Sequence, residues 1–194
     1  ENGRAVRRSI VDLRIGIIGF GARAILREEA HRPGRGAEVT AVYDPSERSR
    51  ADARAALPDA VVTDSLDELL SPGLDAVMVL SPDDTHAALA IRALEAGVAV
   101  FCEKPLAIDL ADADAMLATA RRTGSRLYIG HNMRHMPVVT LMRQLILDGR
   151  IGEVKAVWCR HFVGHGGDFY FKDWHADRRR TTGLLLQKGA HDID

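Results

Sequence analysis

The chain has 194 residues, of which 46% are hydrophobic and 27% charged, a composition typical of a folded globular protein with material for a substantial core. Its formal net charge of −1 argues against a nucleic-acid partner or an anionic membrane surface. No apolar stretch approaches the roughly 18 residues of a membrane-spanning helix, and the basic N-terminus lacks the apolar region of a secretory signal. Two cysteines form neither a disulfide framework nor a zinc pattern, so we expect a cytoplasmic protein.

Apolar segments and helix-like segments alternate through the first two-thirds of the chain. Strands separated by helices of about 10–15 residues indicate right-handed βαβ crossovers and a parallel sheet. The predicted strands are 14–19, 38–43, 61–63, 75–80, 98–102 and 126–130. The predicted helices are 22–31, a segment from the turn at 44–46 through 56, 65–70 with a Ser65–Glu68 capping box, 84–96 and 109–123.

The alternation ends after residue 131. A helix is predicted at 137–148, a longer strand at 154–162, and an exposed loop rich in Gly, His, Asp and Arg at 163–182. We therefore predict a doubly wound parallel α/β domain at 1–131, followed at 132–194 by the start of an α+β domain with an open, mostly antiparallel sheet. The second domain is expected to be incomplete, because its apolar strand lacks partners to pair with.

A glycine-rich turn joins the first predicted strand to the first helix. In its G-x-G-x-x-G/A pattern, Gly19 forms the tight turn, Gly21 lets the backbone approach a pyrophosphate, and Ala24 keeps the helix close to the strand. The free N–H groups of the helix N-terminus then face the pyrophosphate. The pattern predicts a Rossmann-type dinucleotide site, although such glycines also occur in ordinary turns. The residues expected to contact the cofactor are Gly19, Phe20, Gly21, Ala22, Arg23 and Ala24.

Asp44 ends the second predicted strand, 20 residues after Ala24. An acid at this place accepts hydrogen bonds from an adenosine ribose and repels a 2′-phosphate. The sequence therefore predicts NAD as the cofactor, in preference to NADP. The alternative is that Asp44 only caps the following helix.

Further segments resemble the glucose-fructose oxidoreductase, inositol dehydrogenase and MocA family. Glu103-Lys104-Pro105 closes the fifth strand, as the Glu-Lys-Pro motif of that family does. The loop 81–86 resembles its Thr-Pro-Asn-x-x-His loop, 130–137 its Asn-x-Arg-Phe-x-Pro segment, and 183–194 the stretch that ends in Gly-x-His-x-x-Asp. These segments occur in the family's order and cover nearly the whole chain.

The resemblance implies an oxidoreductase that transfers hydride between a nicotinamide cofactor and a carbinol carbon of a sugar, cyclitol or related polyol. Lys104 would stabilise charge on the substrate oxygen, and His191 would be the acid/base. Glu103 would hold the cofactor or Lys104, and Lys188 would bind the substrate. The remaining residues implied to line the cofactor groove are Ser81, Pro82, His86, Asn132, Trp174 and His175.

Structural alternatives stay open for these residues at the level of the sequence. Glu103 and Lys104 could form a surface ion pair, and His191 could be a structural histidine. Lys188 could face outward in a strand or turn. The loop that contains Trp174 and His175 has no periodicity that fixes their orientation.

Gln187 departs from the family pattern. Many members carry an acid four residues before the histidine that corresponds to His191, and an amide cannot take a proton at working pH. The proton-transfer partner is therefore left open. A non-catalytic NAD-binding protein and an NAD-dependent glycosidase with transient oxidation are the alternatives to a dehydrogenase.

The length of the chain is a second departure. Family members have a complete second domain, whose open sheet forms a wall of the substrate site and often an oligomer interface. The sequence starts without an initiator methionine and stops at Asp194, so we expect a fragment or a naturally truncated member. A full-length protein is expected to be a homo-oligomer that acts on a small molecule.

Four histidines form two H-x3-H pairs, His131 with His135 and His161 with His165. This spacing directs two side chains to one metal ion only on a helix. Neither pair lies on a predicted helix, so no metal site is predicted.

Overall fold

The computed structural model describes residues 11–71, 73–162 and 169–194. Its strands are β1 (Leu13–Ile18), β2 (Ala37–Tyr43), β3 (Val61–Thr63), β4 (Ala76–Val79), β5 (Ala99–Cys102) and β6 (Leu127–Ile129). Its α-helices are α1 (Arg27–Ala30), α2 (Glu47–Ala56), α3 (Leu66–Leu69), α4 (His86–Glu95), α5 (Leu110–Thr123), α6 (Pro137–Leu147), α7 (Phe169–Lys172), α8 (Arg178–Thr181) and α9 (Leu184–Ile193). Short 3₁₀ segments occupy Ala22–Leu26, Asp83–Thr85, Asn132–His135 and Trp174–Ala176.

The six strands form one parallel sheet in the order β3-β2-β1-β4-β5-β6. The order reverses between β1 and β4, and in such sheets ligands bind outside the carboxyl ends of the strands at this point. The prediction of a doubly wound parallel sheet is confirmed.

Alternate residues of the strands supply two cores, one on each face of the sheet. On β1, Ile17 packs with Val39, Ala53 and Leu57, whereas the next residue, Ile18, packs in the other cluster. This second cluster includes apolar side chains of α3, α4 and α5. Because both faces are covered, the strands consist of continuous apolar segments, as the sequence shows.

Two local predictions in this domain need correction. The predicted helix at 22–31 begins as a 3₁₀ segment and becomes α-helical only at Arg27. Only half of the predicted capping box forms. The half that forms is the hydrogen bond from the Glu68 N to Ser65 Oγ, 3.3 Å long. The Glu68 carboxylate instead accepts a hydrogen bond from the Thr63 hydroxyl at 2.5 Å.

The C-terminal part differs more from the predictions. Residues 154–162 form no strand, because none of the described strands lies beside them to pair with, so the predicted start of an antiparallel sheet is not observed. The predicted loop contains helical turns between 169 and 181, whereas 163–168 lie outside the described residues. None of the helices in the described ranges combines the length and the apolar character that crossing a membrane requires.

Candidate active site

The glycine-rich turn packs tightly against the end of β4. Gly19 has a φ of +94°, and a Cβ atom there would lie 2.9 Å from the backbone N of Ser81. Any other residue is strained at this position. Around Gly21, no heavy atom of the described residues lies within 4 Å of where a Cβ atom would be, so there is room beside the backbone. The turn combines one glycine that the fold requires with one that leaves space for a ligand.

Asp44 follows β2 and holds this turn. Its Oδ2 atom accepts a hydrogen bond from the Phe20 N at 2.7 Å, and its Oδ1 atom accepts one from the Ser46 N at 2.8 Å. The residue that caps α2 is Ser46, whose Oγ accepts from the Ser49 N at 3.4 Å. The alternative that Asp44 is the helix cap is therefore wrong.

A cavity of about 950 Å³ lies where β1, β2, β4 and β5 end. It brings together most of the predicted site residues, which are separated by up to 172 positions in the sequence (Gly19 to His191). The predicted residues that line it are Gly19, Gly21, Ala22, Arg23, Asp44, Ser81, Pro82, His86, Glu103, Lys104, Asn132, Trp174, His175, Lys188 and His191.

Two predicted residues do not line the cavity. The side chains of Phe20 and Ala24 are buried in the core, where they pack with Ile17 and Val42. The backbone N of Phe20 is already bonded to Asp44. The physical reason is the strand-to-helix turn itself, which directs these two side chains towards the sheet and leaves the glycine backbone at the cavity.

Glu103 and Lys104 leave β5 in different environments. Glu103 is buried, and its Oε1 accepts a hydrogen bond from Arg23 Nη2 at 2.5 Å. Lys104 Nζ donates a hydrogen bond to the backbone O of Gln187 at 2.8 Å. The alternative of a surface pair between Glu103 and Lys104 is therefore wrong. Burial lowers the pKa of Lys104, while the negative charges of Asp83 and Glu103 oppose this shift.

His86 connects the two loops that flank the cavity. Its ring is fully buried, with Nδ1 2.7 Å from the Pro105 O and Nε2 3.0 Å from the Ser81 O. The side chain thus links the end of β4 to the Lys104–Pro105 turn after β5. This bracing position was not evident from the motif, because only the fold places the two carbonyl oxygens on opposite sides of the ring.

Helix α9 presents Gln187, Lys188 and His191 to the cavity. Lys188 therefore lies on a helix, and the alternative of an outward-facing residue in a strand or turn is wrong. Its Nζ lies 4.5 Å from the ring centroid of Tyr170, in a cation–π contact. Burial, followed by the positive charges of Lys104 and His131, lowers the pKa of His191. The buried Nδ1 atom of His191 has no hydrogen-bond partner in the described part of the chain.

The orientation of Trp174 and His175 comes from their neighbours. Their rings stack with centroids 3.7 Å apart, and His175 Nδ1 lies 2.5 Å from Asp173 Oδ1. Arg180 lies over Trp174 at 5.8 Å from the ring centroid and donates to Asp84 Oδ2 at 3.0 Å. These contacts join residues on separate short helical segments. A helix or strand periodicity in the sequence does not predict contacts of this kind.

Two of the histidines in the H-x3-H pairs lie near a carboxylate. His131 Nδ1 lies 3.7 Å from Asp194 Oδ2, and His161 Nδ1 lies 2.9 Å from Asp192 Oδ2. His165 lies outside the described residues. Within the described ranges, no three His, Cys, Asp or Glu side chains converge in a way that would hold a metal ion.

Several lining residues were absent from the sequence-based site. Asp83 and Gln187 are both buried there, and Tyr170, Asp173 and Arg180 complete the wall near Trp174. The signal for Asp83 was available, because it occupies the Asn position of the loop after β4. The others depend on how 169–194 folds back on the sheet.

Comparison with known proteins identifies the family. Residues 13–131 match the oxidoreductase family with an NAD-binding Rossmann fold (GFO_IDH_MocA), and 139–194 match the GFO/IDH/MocA C-terminal domain. The chain belongs to this family. The resemblance predicted from the sequence motifs is thus confirmed, together with the NAD-binding class of its Rossmann fold.

Named relatives act on cyclitols and sugars. The chain is 36% identical to inositol 2-dehydrogenase of Gluconacetobacter diazotrophicus, over 94% of this chain and 52% of the relative. It is 31% identical to glucose-6-phosphate 3-dehydrogenase of Bacillus subtilis, over 93% of this chain and 52% of that protein. The chain therefore spans about half the length of these relatives.

A solved structure shows the same fold. The WlbA dehydrogenase from Bordetella pertussis, determined in complex with NADH and UDP-GlcNAcA, matches with a TM-score of 0.82 and 24% sequence identity. The match covers 94% of this chain and 56% of that one. At this identity the likeness establishes the fold alone.

Proposed function

We propose that the protein is an NAD-dependent oxidoreductase that transfers hydride between nicotinamide and a carbinol carbon of a sugar, cyclitol or related polyol. The observation that carries the proposal is one cavity lined both by the glycine-rich turn with Asp44 and by Lys104 with His191. The first pair of features suits a dinucleotide, and the second suits proton transfer at a hydroxyl group. The names of the inositol and sugar dehydrogenases among the relatives support the substrate class.

The residues around the cavity fit a bound NAD. The open space beside Gly21 admits a pyrophosphate, and the buried carboxylate of Asp44 lies where ribose hydroxyl groups can donate to it. A 2′-phosphate would be repelled by the same carboxylate, which favours NAD over NADP. When bound, the cofactor accepts or delivers a hydride at its nicotinamide ring.

Lys104 is suited to donate hydrogen bonds to the substrate oxygen. An ammonium group has three donors, and the Gln187 carbonyl uses one, so two remain for a hydroxyl or alkoxide oxygen. Positive charge at this place stabilises the oxygen as the carbon gives up hydride. The lowered pKa of Lys104, caused by burial, makes proton exchange easier near neutral pH.

His191 is suited to take the hydroxyl proton. Its lowered pKa, caused by burial and by nearby positive charge, keeps the imidazole neutral at pH 7 and able to accept a proton. A structural histidine normally has hydrogen-bond partners for its buried nitrogen atoms, but Nδ1 of His191 has none in the described ranges. This difference favours the catalytic role over the structural one.

The test is turnover of inositols and sugars by the full-length protein with NAD⁺, followed by NADH absorbance. We expect net NADH formation with a polyol, and a loss of kcat by roughly 100-fold or more in Lys104→Met and in His191→Asn. Tight NAD⁺ binding without NADH formation would favour the non-catalytic alternative, to which the amide at Gln187 points. Exchange of a substrate hydrogen for solvent deuterium without net NADH would favour the glycosidase.

A further inference from the structure

A buried carboxyl group lies at the cavity without a use in the mechanism described above. Asp83 follows β4 and begins the 3₁₀ segment Asp83–Thr85, and it is only 7% exposed. Its Oδ2 atom has no hydrogen-bond partner among the described residues. A buried ionised carboxylate without a partner is unfavourable, so such a group takes up a proton or interacts with a nearby cation.

Asp83 and Lys104 line the same cavity, and each acts electrostatically on the other. The positive charges of His86 and, next in size, Lys104 lower the pKa of Asp83, and the negative charge of Asp83 raises the pKa of Lys104. Burial acts in the opposite sense on both groups and is the larger effect: it raises the pKa of Asp83 and lowers that of Lys104. The neutral pair and the ion pair are thereby brought closer in free energy.

Glu103 is the other carboxylate that acts on Lys104, but it already has a partner. Its Oε1 atom accepts the hydrogen bond from Arg23 at 2.5 Å. Among the described residues, no comparable hydrogen bond reaches Asp83 Oδ2. Of these two carboxyl groups, Asp83 is therefore the one that can respond to a change in the charge of Lys104.

Gln187 lies close to both groups. Its backbone O holds Lys104 Nζ, and its side-chain amide is near enough to Asp83 to lower the pKa of that carboxyl. The side chain is only 3% exposed, yet neither amide atom makes a hydrogen bond of normal geometry in the described ranges. A carboxyl group and an amide thus share a buried space next to the lysine ammonium.

We propose that Asp83 is the positioning residue that sets the protonation of Lys104 during turnover, in place of an acid at position 187. The inference rests on the proposed dehydrogenase function. In the oxidation, the hydroxyl proton passes to His191 while the Lys104 ammonium stabilises the substrate oxygen, and the carbon would give its hydride to a bound nicotinamide. The carboxylate of Asp83 keeps Lys104 in its ammonium form, and the proton on His191 then leaves to solvent. Reduction reverses these steps.

The arrangement implies that the carboxyl group and the amide can be exchanged. Asp83→Asn removes the carboxylate, whereas Asp83→Asn with Gln187→Glu returns one to the same buried space from α9. Both changes are nearly isosteric. A role of Asp83 in packing alone would not be restored by a carboxylate placed on a different element, so the double variant separates the two roles.

The experiment measures how the labelling of Lys104 by an amine-reactive reagent depends on pH, with quantification of the modified peptide by mass spectrometry. In Asp83→Asn we expect the labelling midpoint to fall by about one pH unit, because an opposite charge nearby favours the charged lysine. In the double variant the midpoint should return towards the wild-type value. Charged or titratable groups that act on the pair and stay unchanged in these variants are Glu103, Lys188, Arg23, His86 and His175.

The matched control is Asp84→Asn. Asp84 is the next residue and also a carboxylate, but it pairs with Arg180 and is not among the groups that shift the pKa of Lys104. In Asp84→Asn, the labelling midpoint of Lys104 should equal that of the wild type. If Asp83→Asn does not fold, Gln187→Glu alone should raise the midpoint, because it adds a second negative charge beside the ammonium.

An unchanged midpoint in Asp83→Asn, or no recovery in the double variant, would overturn the assignment of Asp83. Labelling needs no turnover, so it is independent of whether the protein is a dehydrogenase. Midpoints that shift as expected in a protein that forms no NADH would contradict only the proposed activity. With activity present, kcat should follow the same order as the midpoints, while the affinity for NAD⁺ stays similar.

Discussion

Gly19 and Gly21 lie two residues apart but serve the protein in different ways. Gly19 is fixed by its own backbone, since its positive φ and its closeness to Ser81 leave no room for a side chain. Gly21 has a φ of −91°, which any residue can adopt, and open space where a Cβ atom would be. Of these two positions, the fold therefore requires a glycine only at the first, and at the second we expect the cofactor to require it.

Alanine substitutions should separate these two roles. Gly19→Ala is expected to lower the free energy of unfolding by about 1–3 kcal/mol, because the new Cβ atom meets backbone at an unfavourable φ. Gly21→Ala should leave thermal unfolding nearly unchanged and weaken NAD⁺ binding by roughly tenfold or more, because its methyl group fills the space beside the pyrophosphate. Wild-type NAD⁺ affinity in Gly21→Ala, measured by calorimetry, would contradict this assignment.

The protonation of His191 depends on its charged neighbours. Lys104, His131 and Lys188 each lower its pKa, in addition to burial. Removing one positive charge therefore raises the pKa of this histidine, so that the ring gains its proton at a higher pH. The lowered value in the folded chain also means that folding loses stability as pH falls through 6.5, the ordinary value in the unfolded chain.

Lys188→Met should shift the NMR titration midpoint of His191 to higher pH. Lys155→Met is the control, because Lys155 pairs with Glu153 and does not contribute to the shift of His191. A midpoint that falls, or that moves equally in the control, would show that Lys188 does not act on this ring.

Much of the site could be predicted at this scale, because motif residues such as Gly19, Asp44 and Lys104 stand at strand ends that the alternation locates. The proposed action of Asp83 on Lys104 could not be predicted from sequence, since it depends on burial and on Gln187, 104 positions away. The roles of the predicted site residues stay proposals until variants are measured.

The predicted strands formed only where a neighbouring strand is available to pair with them. The strands of the first domain formed as expected because each has a neighbour within the chain. Residues 154–162 have equal apolar character, but a strand needs a partner, and none of the described strands lies beside them. Helix α9 was not predicted, since glycines at 183 and 189 weaken its helical pattern.

Helix α5 offers a test of local stability away from the cavity. Its N-cap is Asp109, whose Oδ1 accepts a hydrogen bond from the Asp112 N at 2.8 Å. Asp109→Ala should lower the free energy of unfolding by about 1 kcal/mol, as loss of an N-cap does, without a change in NAD⁺ affinity. Denaturant unfolding and calorimetry measure the two effects, and a large loss of NAD⁺ binding would mean that α5 is coupled to the site.

At the scale of the whole molecule, the two parts of the chain differ in burial. The first domain has a closed apolar core on each face of its sheet. Helix α6 has no buried residue and exposes Leu141 and Met142, and Trp158 in the following segment is 86% exposed. Such a surface favours association, which agrees with the expectation of a homo-oligomer for the full-length protein; that expectation stays a prediction.

Helix α9 lies against the first domain, so that one cavity is lined by residues from both family domains. The hydrogen bond from Lys104 Nζ to the Gln187 carbonyl, 2.8 Å long, links the turn after β5 to α9. We propose that this cavity binds NAD through the glycine-rich turn and Asp44. The proposed chemistry at Lys104 and His191 depends on this binding.

The most direct test is a calorimetric titration of the protein with NAD⁺ and with NADP⁺, in the wild type and in Asp44→Ala. Asp64→Ala is the control, since Asp64 is exposed and does not line the cavity. We predict that the wild type and the control bind NAD⁺ clearly more tightly than NADP⁺, and that Asp44→Ala loses this preference. Absence of binding for both cofactors, or equal affinity for the two in the wild type, would contradict the account.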